Sequence, residues 1–136
     1  MRGAPAPFAE FHASEKTRTP NELLAHLGDL LDWALSMAKG KEEWHNSPRL
    51  DWDAAVQRFH NSLEAFDAYL ASGQPQHAPA EKLFQGPIAD ALTHVGQLTM
   101  LRRLAGAPIR GENYFKADIA AGRVGADQKA PAREFD

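Results

Sequence analysis

The stretch Thr19-Pro20-Asn21-Glu22-Leu23-Leu24-Ala25-His26-Leu27-Gly28-Asp29-Leu30-Leu31-Asp32-Trp33-Ala34-Leu35 decides the fold. Its first four residues form a capping box with proline at the first helical position. The threonine oxygen and the glutamate each satisfy an orphan amide of the first turn. Behind the box, Leu23, Leu24, Leu27, Leu30, Leu31, Ala34, Leu35 and Ala38 recur at the i, i+3, i+4, i+7 spacing of one helical face, and Gly40 supplies a left-handed stop. The pattern predicts a helix over 20–39.

The same reading carries outward along the chain. Asp51 caps a run of Trp52, Val56, Phe59, Leu63, Phe66 and Leu70, spaced alternately by four and three before Gly73, which predicts a second helix over 52–72. A polar, proline-containing stretch from Ser72 to Ala80 follows. Gly86-Pro87 then opens a third helix over 87–105, closed by Gly106 and Pro108. Each helix is about 20 residues or roughly 30 Å long. Glu112 to Gly122 offers a short C-terminal helix, while residues 1–18 hold too many breakers to be more than an extended arm. The polar segment 126–136 reads as a loose tail. No run alternates with period two, so the fold class is all-α, an up-and-down helical bundle.

The 136 residues suit a single domain with one core, spanning 1–136. Three long helices leave one apolar flank uncovered. Either the arm lies over it through Phe8 and Phe11, or a second copy closes the bundle as a homodimer, the arrangement favoured here. A net charge of -3 gives no basic field for nucleic acid. The absence of cysteine removes disulfides, thiolate ligands and cysteine nucleophiles, leaving only N and O ligands for any metal. Met1 to Ala9 lacks the apolar core of a signal peptide and no run reaches membrane-spanning length, so a cytoplasmic location with no membrane partner is expected.

The chemistry-bearing residues lie on the first and third helices. Asp90 and His94 are four apart, hence about 5–6 Å apart on one face. With the apolar centre of the third helix set at Ile88, Leu92, Val95 and Thr99, the residues Asp90, His94, Gln97 and Leu101 fall in a separate stripe that reads as a cleft lining. His26 sits at the edge of the leucine stripe beside Glu22, Asp29 and Trp33, placed to reach across as a third ligand. Two histidines and a carboxylate leave coordination positions open and suit zinc, nickel or iron(II). The same spacing is also that of an ordinary i,i+4 ion pair, with His26 satisfied by Glu22 or a backbone carbonyl. Gln97, one turn below His94, suits an outer-shell hydrogen bond or simple helix packing. Arg102-Arg103 could bind an anionic group but are already explained by the helix C-terminus, and Trp33, Trp44 and Trp52 could line a pocket but suit core or interface. His12, His45, His60 and His77 receive no role.

The segments Glu22-Leu-Leu-Ala-His-Leu-Gly-Asp-Leu-Leu-Asp-Trp33 and His94-Val-Gly-Gln-Leu, followed by Leu101-Arg-Arg-Leu, resemble the DinB-like family of bacterial four-helix metalloproteins. The resemblance covers most of the chain. It implies an up-down-down-up bundle whose divalent metal (Zn, Ni or Fe) is held by a histidine on the second helix and two histidines four apart on the fourth. Residue by residue these are His26, His94 and the position of Asp90. The chain departs from the family by carrying aspartate at 90, and its helices match the family's second, third and fourth, so a shortened member is expected. The resemblance further implies a metal-dependent transferase acting on a small-molecule substrate with a low-molecular-weight thiol. A non-catalytic bundle with a degenerate site, sensing a ligand or binding a protein, is the other class that the residues allow.

Overall fold

In the computed structural model, which describes residues 1–135, the regular elements are all helical, and no strand forms among the described residues. A 3-10 turn, Ala6–Glu10, precedes α1 (Pro20–Ala38) and α2 (Trp52–Ala71); α3 (Ala80–Leu83), a π segment (Phe84–Ile88) and α4 (Ala89–Leu104) follow. No described helix is long and apolar enough to cross a membrane.

α1 begins and ends as its residues dictate. The Thr19 amide donates to Glu22 Oε2 at 2.7 Å and the Glu22 amide donates to Thr19 Oγ1 at 3.1 Å, closing the capping box. At the other end Gly40 takes a φ of 82°, with its amide donating to Met37 O and that of Lys41 to Ser36 O, the paired bonds of a Schellman stop. Eleven of the 19 residues of α1 are buried, against three each in α2 and α4, so α1 is the central rod. It packs on both neighbours: Leu24 and Leu27 meet Ala55 of α2 on one side and contact Ala91 and Leu98 of α4 on the other. Arg58 of α2 fastens that pairing, donating to Ala25 O at 3.0 Å, Asp29 Oδ1 at 2.8 Å and Asp32 Oδ2 at 2.6 Å.

Three expectations are corrected. Gly86-Pro87 does not open the third helix: the chain is already helical from Ala80, and Pro87 sits inside a π turn. Proline lacks an amide and its ring crowds the carbonyl four residues back, so one extra residue in the turn relieves the clash without ending the rod. Nor does Glu112 to Gly122 form a helix. Tyr114, Phe115 and Ile119 are exposed and have no face to bury against, and Glu112 instead bridges Glu134 in an isolated antiparallel pair. Thirdly, the apolar face assigned to α4 is not the one that packs. Leu92 is 60% exposed and Val95 40%, whereas His94 and Leu101 are buried. Apolar residues lie all round α4, so its own pattern does not select a face; the leucines of α1 do.

The arm takes the covering role of the first alternative. Phe8 is buried with Leu23 and Leu101, edge-on to Trp52 at 5.7 Å. Arg102, itself buried, lies over the Phe8 ring and donates to Arg2 O and Gly3 O, and its Nε donates to Ala107 O. On the opposite flank an open apolar groove of about 280 Å³ remains, walled by Phe59, Phe66 and Leu70 of α2 and Leu92 and Val95 of α4.

Candidate metal centre

The burial of the His94 face brings two rods together around three polar side chains. His26 projects from the middle of α1, and Asp90 and His94 from successive turns of α4. Each oxygen of Asp90 faces a different ring: Oδ1 lies 3.3 Å from His94 Nε2 and Oδ2 lies 3.7 Å from His26 Nε2. The two imidazoles stand edge to face, 4.8 Å between centroids and 84° between planes. One ligand atom from each residue can be chosen so that all lie within 4.8 Å of one another.

Those separations can be compared with what an ion requires. Ligands about 2.1 Å from a tetrahedral centre stand about 3.4 Å apart. The two carboxylate–imidazole distances are already within a few tenths of an ångström of that value. All three ligand atoms lie within 4.8 Å of one another, so an ion would draw them together, and Asp90 is half-exposed and His26 partly so.

Tautomer and protonation also suit a ligand set. His94 Nδ1 is 2.9 Å from Gln97 Oε1. An amide oxygen accepts only, so the Nδ1 donates to it, and Nε2 is the ring nitrogen turned toward Asp90. Burial holds the His26 imidazole below its ordinary pKa, with the nearby His94 and Arg18 adding to the effect and Asp90 and Asp29 opposing it. A neutral ring is the ligating form. The expected ligands His26, Asp90 and His94 are therefore brought together, with Gln97 one turn below as the orienting group.

A second cluster, Asp29, Asp32 and His45, has similar spacing but different chemistry. His45 Nε2 lies 3.8 Å from Asp29 Oδ1 and 3.5 Å from Asp32 Oδ2, yet Arg58 Nη2 already binds both of those oxygens. Ser47 donates its hydroxyl to Asp29 Oδ1 at 2.6 Å and its amide to Asp29 Oδ2 at 3.2 Å. A guanidinium and a hydroxyl hold these lone pairs, so the cluster is an ionic fastening between α1, α2 and the loop. In the first cluster, apart from the two imidazoles, a 3.4 Å approach of Thr93 Oγ1 is the only hydrogen bond to the Asp90 carboxylate from a described residue.

Two aromatic side chains shape the surroundings of His26. Trp44 stands edge-on to its ring at 5.6 Å, and Trp33 stands edge-on to Trp44 at 5.8 Å. Trp44, one of the three tryptophans that could line a pocket, does stand beside His26, whereas Arg58 was not legible as a site neighbour because it acts across a helix interface that sequence spacing does not encode. No family model matches the chain, and the comparisons with curated proteins and with solved structures likewise return no match.

Proposed function

We propose that this chain is a DinB-like divalent-metal protein in which His26, Asp90 and His94 hold the ion, and that it transfers low-molecular-weight thiols to small-molecule acceptors. The observation that carries the reading is the position of Asp90, one oxygen toward each imidazole at 3.3 and 3.7 Å, in a cluster with no competing cation. A bound divalent ion would supply Lewis acidity and lower the pKa of a thiol placed at its open positions. The protein's own contributions are separate. Gln97 orients the His94 ring, α1 presents His26 with its pKa held low, and the Trp44 ring packs edge-on against His26.

Two features of the chain qualify the set. With aspartate in place of a third histidine, the three ligands carry one negative charge, which leaves a divalent centre with a net charge of about +1 and shifts preference toward harder ions. The apolar groove between α2 and α4 is the surface a second copy would cover, so the expected homodimer belongs to the same proposal; sedimentation equilibrium at twice 15.0 kDa tests it.

Elemental analysis of untagged protein, loaded anaerobically with zinc, nickel or iron(II), tests the metal reading. One ion per chain is expected in the parent and none in Asp90→Ala or His94→Ala, with helical circular dichroism unchanged. A parent that takes up no ion leaves a non-catalytic bundle, for which the open groove is the favouring observation.

A further inference from the structure

A cavity of about 510 Å³ opens beside the candidate ligands between the arm and the last turns of α4. His94 and Gln97 form one end. Leu23, Met100, Leu101 and Leu104 make its body apolar. Its size is that of a small-molecule pocket, typically about 300–1,000 Å³. A long apolar wall with few polar groups recognises a hydrophobic body and orients it by those groups.

One of the polar groups is a cation that no described side chain neutralises. Arg18 lines this cavity and also the adjoining cavity of about 270 Å³ that contains His26, so it stands where the two meet. The guanidinium makes no hydrogen bond or ion pair to any described residue. Four other arginines are paired, Arg49 with Glu10, Arg58 with Asp29 and Asp32, Arg110 with Glu134 and Arg123 with Asp118, whereas Arg103 and Arg133 are, like Arg18, without such a pair but line neither cavity. Glu22 shares the smaller cavity, but its Oε2 is engaged by the Thr19 amide and hydroxyl. Arginine presents a planar fork that matches a carboxylate bidentately, and it stays charged at any physiological pH.

We infer that the pocket takes a small amphiphile, an apolar body ended by one carboxylate, with Arg18 binding the carboxylate and Leu23, Met100, Leu101 and Leu104 the body. This names the substrate class of the proposed metal site, and rests on that reading for the reactive end alone. The charge balance agrees. Arg18 places a positive charge at this mouth with no described side chain paired to it, so an anion is drawn there and a cation repelled. The apolar walls discriminate against a plain inorganic anion, which would gain nothing from Leu101 or Leu104. Because Arg18 precedes the N-cap Thr19 directly, the rigid start of α1 fixes where its side chain originates.

Octanoate and 1-octanol serve as matched probes, titrated into the full chain and followed by amide nitrogen–proton shifts, once after chelator treatment and once zinc-loaded. The inference expects octanoate to bind the chelator-treated protein, shifting amides around Arg18 and Leu101 to Leu104. It expects Arg18→Gln to weaken octanoate by about tenfold or more, Arg18→Lys to weaken it less, and octanol to be insensitive to both. Octanoate indifferent to Arg18→Gln, octanol bound as tightly as octanoate by the parent, or shifts confined to the Phe59 and Leu92 groove would each overturn it. The two readings fail separately. Arg18-dependent octanoate binding in a protein that takes no zinc supports the pocket and sinks the metal, whereas a zinc-loaded parent indifferent to Arg18→Gln does the reverse.

Discussion

Replacing Gly28 by alanine sets two effects of opposite sign against each other. In an ordinary helix interior the change stabilises by about 1 kcal/mol, since alanine loses less backbone freedom on folding. Here a Cβ at Gly28 would lie 2.5 Å from Arg58 Nη1 and 2.9 Å from its Cζ. Restoring ordinary contact near 3.5 Å moves the guanidinium by about 1 Å. Its Nη1 bond to Ala25 O, now 3.0 Å, is then broken, and the Nη2 bonds to Asp29 and Asp32, now 2.8 and 2.6 Å, are lengthened. Each bond to a charged group is worth about 1.5–3 kcal/mol, and the Asp29 side chain is only 6% exposed, so water does not replace what it loses. Ser47 keeps two bonds to Asp29 and limits the damage. One such bond lost and two weakened give a gross loss of about 3 kcal/mol, and the net destabilisation after the helical gain is about 2 kcal/mol. Gly96 of α4 is the control, because a Cβ there meets nothing within 4 Å. Gly96→Ala is expected to gain about 0.5–1 kcal/mol. Urea denaturation of both variants reads the difference, and a Gly28→Ala protein as stable as Gly96→Ala would refute the account of how Arg58 ties α2 to α1.

Other expectations follow from the same contacts. Gln97→Leu removes the acceptor that orients His94, and should weaken zinc binding about 10- to 100-fold in a chelator competition while leaving the melting temperature nearly unchanged. Phe8→Ala should cost about 3–5 kcal/mol in denaturant unfolding, because the ring is buried under Arg102 and against Trp52; a cost below about 1 kcal/mol would mean the arm is not seated. For pH, the burial of His26 holds its folded pKa below the value of about 6.5 found in an unfolded chain. Above pH ~6.5 the ring is neutral in both states and contributes no slope. As pH falls through 6.5 the unfolded chain is protonated first, so stability declines until the folded pKa is passed. Parent protein should therefore lose more stability than His26→Gln between about pH 7 and 5.5, and parallel curves for the two would contradict the direction of that shift.

How far the sequence reached depended on whether a signal was local. The capping box, the α1 leucine stripe, the Asp51 cap and the Gly40 stop are written within a few residues of one another, and each appears in place. Asp90 and His94 share a helical turn, so their convergence was legible too. What was not local was misread. The packed face of α4 could not be chosen from its own residues, because leucine, valine and methionine surround it and the choice belongs to α1. Pro87 resembles a helix start until the π turn shows how the rod absorbs it. The 112–122 segment has the composition of a short helix but nothing to bury its aromatic side chains against. Arg58, whose guanidinium decides that Asp29, Asp32 and His45 form a fastening, is invisible without the α1–α2 interface.

The central claim is that His26, Asp90 and His94 share one divalent ion. Zinc K-edge X-ray absorption of the loaded protein counts the ligands directly. The account predicts two imidazoles among N and O neighbours at about 2.0–2.2 Å, reduced to one in His26→Ala. A spectrum showing no imidazole shell, or one unchanged by His26→Ala, would contradict it.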